Sequence, residues 1–239
     1  MHAVLGDRPR DGFAALAYHR VAELSEGVAA PTWNVTPRQL RAQLEGLLSR
    51  GFVAWPLSKV LEACRETRPI PNDVLVVTFD DGYENNFLHA LPILRELRVP
   101  ATVFLATAFL DSDRPFPFDD WSAAGSASVP ACCWRPLATD QCRQLLASGW
   151  VELGTHTHTH QRFAGDRHAF QRDLKASLDV LCDRFGASRP ALAFPFGLAN
   201  RELIDAAKET VVSCAFSTLP ERNCGTADPF CWGRVSVAA

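Results

Sequence analysis

Short apolar runs alternate along the chain with longer segments in which apolar residues recur at helical spacing. Residues 74–79 form a continuous apolar run, which is typical of a strand buried on both faces of a parallel sheet. In residues 37–50, leucines recur on one helical face between the capping candidate Thr36 and the terminating Gly51. These patterns predict that strands and helices follow one another in turn.

The alternation continues to the end of the chain and defines the fold class. The predicted strands are 14–18, 74–79, 101–106, 150–154, 191–194, 211–216 and 233–237. The predicted helices are 37–50, 57–66, 86–98, 137–148, 166–185 and 201–209. This order favours a parallel sheet covered by helices, and about seven strands favour a distorted (β/α) barrel. We therefore predict an α/β protein with a single domain over residues 1–239.

Composition narrows the classes of function. A net charge of -3 without a basic block gives no sign of a nucleic-acid partner. No apolar run reaches the ~20 residues that span a bilayer. The polar segment 1–12 lacks the apolar core of a signal peptide, so the chain is cytoplasmic or has lost a leader. We expect the cytoplasmic location.

The eight cysteines do not form a CxxC pair, which argues against a zinc ribbon or a thioredoxin-like motif. Most are expected to be small core residues, such as Cys182 in a helical pattern and Cys214 in a strand pattern. A disulfide between Cys224 and Cys231 is an open alternative.

Two adjacent carboxylates follow the apolar run, in the sequence Thr-Phe-Asp-Asp-Gly-Tyr at 78–83. In parallel α/β folds, functional sites gather at the carboxyl ends of strands. Adjacent strand residues point to opposite sides, so Asp80 and Asp81 are expected to have different roles. One can bind a cation while the other faces a substrate. The alternative is a simple turn that caps the next helix.

Histidines follow a second predicted strand, in Gly-Thr-His-Thr-His-Thr-His at 154–160. On a helical turn His156 and His160 would share a face and bind one ion. In an extended segment His158 would line up with them instead. A histidine-rich surface loop is the third interpretation. One carboxylate with two imidazoles is a common set of zinc ligands, and it leaves a position open for water.

Three motifs in this order resemble the polysaccharide deacetylase family, the NodB homology domain of carbohydrate esterase family 4. They are the segment 78–83, the His-Thr-Xaa-Xaa-His pattern at 156–160, and Phe-Pro-Phe-Gly at 194–197. The resemblance implies a NodB-like barrel, one divalent metal ion, expected to be zinc, and hydrolytic removal of N-acetyl groups from a glycan. It extends from about residue 14 to residue 237.

The resemblance also implies roles for individual residues. Asp80 matches the catalytic base, and the metal ligands match Asp81, His156 and His160. Thr157 matches a residue that steadies the site, and the backbone N–H of Phe196 matches a donor to the oxyanion. Further residues expected to support the site or bind substrate are Tyr83, Pro195, Trp232 and Arg234.

Two departures from the family pattern concern charged groups. Many members carry an arginine that orients the base where this chain has Ala193; Arg234 is a candidate replacement, or else a surface residue. Many members also supply the acid from a histidine near the C-terminus, and no histidine follows His168 here. His19, in Ala-Tyr-His-Arg-Val at 17–21, resembles the branch that deacetylates poly-N-acetylglucosamine with permuted motif order, and is expected to be the acid.

The sequence leaves the roles of one tryptophan and one irregular segment undecided. Trp232 lies near the predicted last strand and is expected to wall the acetyl pocket. The irregular segment 111–135 contains the aromatic and acidic residues 116–121, which either stack on a sugar or anchor the loop. The expected partner is a carbohydrate bearing N-acetyl groups. The alternatives are hydrolysis of another linear or cyclic amide, and a sugar-binding pseudoenzyme.

Overall fold

The computed structural model describes residues 12–23, 31–119, 129–163 and 165–238. In chain order, the strands β1 to β10 are Phe13–Tyr18, Arg20–Val21, Asn34–Val35, Val53–Ala54, Val74–Phe79, Ala101–Leu105, Val151–Thr155, Leu192–Ala193, Ala215–Phe216 and Val235–Ser236. The helices α1 to α6 are Pro37–Leu48, Leu57–Arg65, Leu91–Leu97, Thr139–Ala147, Arg167–Phe185 and Arg201–Lys208. The polar residues 1–11 and residues 120–121 of the aromatic segment lie outside the described residues.

The main sheet is parallel and has the strand order β10-β1-β5-β6-β7-β8-β9, with β4 paired to β5. Strands β2 and β3 form a separate parallel pair. This topology confirms the predicted distorted (β/α) barrel with about seven parallel strands. Among the described residues, no helix is both long and apolar enough to cross a membrane.

The segment 232–236 contacts both edges of the sheet and so brings the first strand close to the last. At one edge Trp232 forms a parallel bridge with Phe216. At the other edge Val235 of β10 pairs with Leu16 of β1. Residues at the end of β1 therefore lie beside residues that follow β9.

Side chains alternate between the inside of the barrel and its outer surface. The inner residues of the strands pack together with α2, which covers the amino-terminal end. The outer residues pack under α1, α3 and α4. Trp232 belongs to the inner set: it is buried and packs edge-on against Phe13, with ring centroids 5.0 Å apart. Trp232 is absent from the lining of the cavity described below, and its expected role as a wall of the acetyl pocket stays a prediction.

Local signals explain most of the element boundaries. Thr36 caps α1 through a reciprocal pair of hydrogen bonds with Gln39, which confirms the predicted cap. The predicted helix 86–98 instead begins as a π-helical turn over Asn86–Ala90, because Pro92 lacks the N–H that a continuous α-helix would use. The predicted strand 211–216 is reduced to Ala215–Phe216, since the hydroxyl of Thr210 accepts a hydrogen bond from the Val212 N–H in a turn.

All eight cysteines lie among the described residues, and each is a free thiol. Cys214 is buried as expected. Cys182 is exposed, so its assignment to the core is wrong, because it lies on the outer face of the long helix α5. The open alternative of a Cys224–Cys231 disulfide is not realised.

Candidate active site

The inward side chains at the carboxyl ends of three strands form the centre of the candidate site. Asp80 lies two residues after Thr78 of β5, whose side chain faces the inside of the barrel, so Asp80 faces the same way. His19 likewise continues the inward-facing side of β1. His156 likewise follows the inward Gly154 of β7. The alternation of each strand therefore directs these polar groups into one cavity of about 400 Å³.

A tight turn redirects Asp81 into the same cavity. Asp81 has a φ of 69° and Gly82 a φ of 86°, both in the left-handed region. The left-handed backbone of Gly82 favours glycine, and an added Cβ would also lie 2.6 Å from Cδ2 of Leu105. Adjacent aspartates thus both face the cavity, although a regular strand would separate them.

Asp81, His156 and His160 bring their potential ligand atoms within 4.8 Å of one another, and all three residues are buried. Oδ1 of Asp81 lies 3.6 Å from Nε2 of His156 and 3.5 Å from Nε2 of His160. The same Oδ1 is buried without a hydrogen-bond partner among the described residues. A buried carboxylate oxygen facing two imidazole nitrogens fits a divalent cation, which would satisfy all three atoms.

The loop that carries the histidines is neither helical nor extended, so both sequence-based geometries are wrong. Thr157 and His160 adopt left-handed conformations, with φ of 64° and 54°. The hydroxyl of Thr155 accepts a hydrogen bond from the Thr157 N–H, and the hydroxyl of Thr157 accepts one from the His160 N–H. This turn brings Nε2 of His156 within 3.2 Å of Nε2 of His160.

Two further contacts fix the histidine loop. Nδ1 of His156 lies 2.7 Å from the carbonyl oxygen of Ala193, so Nδ1 carries the proton and Nε2 presents its lone pair. Asp173 of α5 accepts hydrogen bonds from the backbone N–H groups of His158 and Thr159, at 2.7 and 3.1 Å. The His158 side chain contacts the Thr107 hydroxyl instead of the ligand group.

Arg234 lies inside the barrel, and its two terminal guanidinium nitrogens, Nη1 and Nη2, donate to the two carboxylate oxygens of Asp80 at 2.6 and 2.8 Å. It also donates to the Thr78 hydroxyl and to the Ser217 carbonyl oxygen. Arg234 has no exposed surface, so the alternative of a surface arginine is wrong. Its position lets it replace the arginine that is absent at Ala193.

The charges around the two aspartates separate their pKa values. Burial alone would raise the pKa of Asp80, but the charge and hydrogen bonds of Arg234 hold it below its usual value. The pKa of Asp81 is raised, first by burial and then by the neighbouring charge of Asp80. Burial lowers the pKa of His156 and lowers that of His160 to about 2, so both imidazoles are neutral and can act as ligands.

His19 lies at the end of β1, with its Nε2 3.9 Å from Oδ2 of Asp80. Burial lowers the pKa of His19 to about 4, against the opposing charge of Asp80. Its ring stacks on the indole of Trp33, with centroids 5.4 Å apart and ring planes 19° from parallel. The structure thus places His19 beside the predicted base.

The turn Pro195–Gly197 forms the opposite rim of the cavity. Pro195 is buried, whereas Phe196 has a left-handed backbone and a side chain 41% exposed. The Phe196 ring lies 4.6 Å from the ring of His160 and carries the Arg162 guanidinium at 4.0 Å. The Phe196 side chain thus lies beside the ligand group and lines the cavity, and the role of its backbone N–H as an oxyanion donor stays a prediction.

Sequence reasoning missed several residues that line the cavity. Arg20 is buried over the Tyr83 ring and forms an ion pair with Asp119, which also accepts a hydrogen bond from the Tyr83 hydroxyl. The Phe118 ring lies 3.9 Å from the ring of His160. Phe118 and Asp119 belong to the aromatic and acidic segment 116–121, and the composition of that segment was the sequence signal that could have identified them. For Arg20 the signal was its position directly after His19.

Fold and site together define a (β/α)-barrel protein with a candidate mononuclear metal centre of the kind that hydrolases use. Residues 67–215 match the family model described as polysaccharide deacetylase. The chain therefore belongs to the polysaccharide deacetylase family, whose members depend on a metal ion.

Two of the similar curated proteins have the same name. The poly-beta-1,6-N-acetyl-D-glucosamine N-deacetylase of Escherichia coli K12 is 29% identical over 152 residues, covering 62% of this chain and 21% of the relative. The protein of the same name from Staphylococcus epidermidis is 25% identical over 227 residues, covering 87% of this chain and 72% of the relative. The chain thus spans about a fifth of the length of the Escherichia coli protein.

Solved structures share the fold. IcaB from Ammonifex degensii superposes with a TM-score of 0.80 at 22% identity, over 95% of this chain and 92% of that one. The deacetylase domain of BpsB from Bordetella bronchiseptica gives a TM-score of 0.74 at 20% identity, over 97% of each chain. At these identities the likeness establishes the barrel and its topology.

Proposed function

We propose that this protein is a metal-dependent hydrolase that removes N-acetyl groups from an N-acetylhexosamine-containing glycan and releases acetate. The observation that carries the proposal is the buried group Asp81, His156 and His160 next to an Asp80 held by Arg234. Family membership and the shared name of the curated relatives support the same reaction. That name also favours a polymer of N-acetylglucosamine as the substrate.

The metal is proposed to be zinc, held by Asp81, His156 and His160. Two neutral imidazoles and one carboxylate are typical ligands of catalytic zinc. When bound, such an ion lowers the pKa of a coordinated water and polarises a carbonyl oxygen. Asp80 is not part of this ligand group, and both of its oxygens accept hydrogen bonds from Arg234.

Asp80 and His19 are proposed to move the protons. Asp80 stays ionised at neutral pH and can accept the proton of the attacking water. Nε2 of His19 lies 3.9 Å from Oδ2 of Asp80, so a small movement of either side chain brings the two groups into proton-transfer distance. His19 then protonates the leaving nitrogen as the bond from carbon to nitrogen breaks, and acetate and a free amine result.

The Phe196 backbone is proposed to complete the site. Its N–H would donate to the oxygen of the tetrahedral carbon, a contact worth about 3 kcal/mol in other acyl-transfer sites. The exposed rings of Trp33 and Phe196 flank the cavity entrance.

Acetate release from β-1,6-linked N-acetylglucosamine oligomers tests the proposal. The wild-type protein should release acetate, lose this activity with a chelator and regain it with zinc, whereas Asp80→Asn should stay inactive. Oligomer binding without acetate release in the metal-loaded protein would instead establish a sugar-binding pseudoenzyme. The cytoplasmic location and the single domain over residues 1–239 remain predictions.

A further inference from the structure

Within the part of the chain that the structure describes, the His19 side chain lacks the hydrogen bonds that usually orient a catalytic histidine. Its Nδ1 is buried and has no hydrogen-bond partner among the described residues. Its Nε2 lies 3.9 Å from the nearest oxygen of Asp80, beyond hydrogen-bond distance. Polar contacts therefore do not determine which way this imidazole points, although its proposed task requires a defined direction.

Trp33 supplies the contact that polar groups do not. The indole and imidazole planes are 19° from parallel, with centroids 5.4 Å apart, which is an offset stack. The pairing of β2 with β3 sets this geometry, because Arg20 is in register with Asn34 and the residues before them become neighbours. A hydrogen bond from the Arg20 N–H to the Trp33 carbonyl oxygen, at 3.2 Å, fixes the backbone there.

Trp33 has no evident role in the core, since 44% of its surface is exposed at the cavity entrance. A large, half-exposed apolar side chain that is stacked on one polar ring points to a local task. We infer that Trp33 is a positioning residue that holds the His19 imidazole toward Asp80 and toward the nitrogen that leaves. The inference rests on the proposed function and adds a residue to it.

A tryptophan suits this task in both charge states of His19. An aromatic face stacks on a neutral imidazole, and it attracts the imidazolium through a cation–π interaction once His19 has taken up a proton. A carboxylate at Nδ1 would hold the ring more strongly, and none is found there among the described residues. The stack therefore takes the place of a charged orienting group.

Kinetics of three variants on N-acetylglucosamine oligomers test the inference. Trp33→Leu should lower kcat by roughly 2- to 10-fold with KM unchanged, which corresponds to the stability of one aromatic pair. Trp33→Phe keeps a flat ring and should restore most of the loss. Trp55→Leu is the matched control, because Trp55 contacts Lys59 away from the cavity and its loss should leave kcat unchanged.

The double variant separates positioning from direct contact with substrate. If Trp33 acts through His19, then Trp33→Leu should cost nothing further once His19→Ala is present. A raised KM with normal kcat, or a full effect that persists in the His19→Ala background, would show a sugar platform and overturn the inference. Acetate release by the wild type reports on the proposed function separately.

A crystal structure of Trp33→Leu gives a readout that does not depend on activity. The His19 ring is expected to leave its position beside Asp80 or to occupy several rotamers. A ring that keeps its 3.9 Å approach to Asp80 in a single conformer would contradict the inference even if no substrate were known.

Discussion

The ends of strands β5 and β7 supply the site in different ways. At the end of β7, the loop 156–160 is fixed by its own hydroxyls, by the Ala193 carbonyl oxygen and by Asp173 of the next helix. At the end of β5, Asp80 is fixed by Arg234, which lies 154 positions away in the chain. The histidine loop is thus held mainly by local contacts, and Asp80 by the closure of the barrel.

This difference explains how two neighbouring carboxylates acquire different chemistry. Arg234 occupies both oxygens of Asp80 and keeps it ionised. Among the described residues, Oδ1 of Asp81 has no hydrogen-bond partner, and it faces His156 and His160. The arginine therefore gives the two carboxylates different surroundings, which fits the proposed roles of Asp80 as proton acceptor and Asp81 as metal ligand.

The largest expected effect comes from replacing Asp80 and Asp81 one at a time. Asp80→Asn should lower turnover by about 10²- to 10⁴-fold while metal content stays near one ion per chain, because the ligand group is intact. Asp81→Asn should lose metal. Metal content is measured by elemental analysis and turnover by acetate release for both variants. Loss of metal in Asp80→Asn but not in Asp81→Asn would show that Asp80 is the ligand and would contradict the assignment.

Replacing Arg234 tests whether the closure of the barrel holds Asp80 in place. Arg234→Met should lower the free energy of unfolding by about 3–5 kcal/mol, because Asp80 is left as a buried, unpaired charge. The double variant with Asp80→Asn should regain part of this loss in urea unfolding. Arg184→Met, which removes an exposed ion pair with Asp111, is the control and should change little.

The sequence identified the chemical groups of the site better than the contacts that hold them. The motifs at 78–83 and 156–160 predicted the paired carboxylates and imidazoles, because the residues of each motif lie within a few positions of one another in the chain. Asp80 and Arg234 lie in distant segments of the chain. Sequence spacing therefore could not show that they form a pair, and Arg234 was only a candidate for the missing arginine. The burial of Trp232 was missed for the same reason, because barrel closure turns it inward against Phe13.

Asp173 offers a smaller test of the local support for the histidine loop. Asp173→Ala frees two backbone N–H groups that hold the loop, so metal affinity should fall by about 10- to 100-fold. Asp179→Ala on the same helix removes only an exposed pair with Lys175 and is the control. Equal metal affinity of the two variants in chelator competition would show that the loop needs no anchor from α5.

The smallest expected effect concerns the pH dependence of stability in the metal-free protein. The pKa of His19 is about 4 in the folded chain and about 6.5 when unfolded, because burial disfavours its charged form. The unfolded state therefore binds more protons between these values, and stability falls as pH drops through this window. His19 should contribute about 1 kcal/mol of this loss between pH 6.5 and 5.5.

Urea unfolding of wild type and His19→Gln at both pH values measures this contribution as a difference. The comparison cancels the opposing titration of Asp81, whose pKa is raised. His168→Gln, at an exposed position, should match the wild type. A steeper loss of stability at low pH in His19→Gln than in wild type would contradict the burial argument.

Anomalous X-ray diffraction from zinc-loaded crystals tests the division between the two aspartates most directly. The account predicts one strong zinc peak within bonding distance of Asp81, His156 and His160, with Asp80 still paired to Arg234 and not bound to the ion. A zinc peak bonded to Asp80, or a peak that leaves out either histidine, would contradict it.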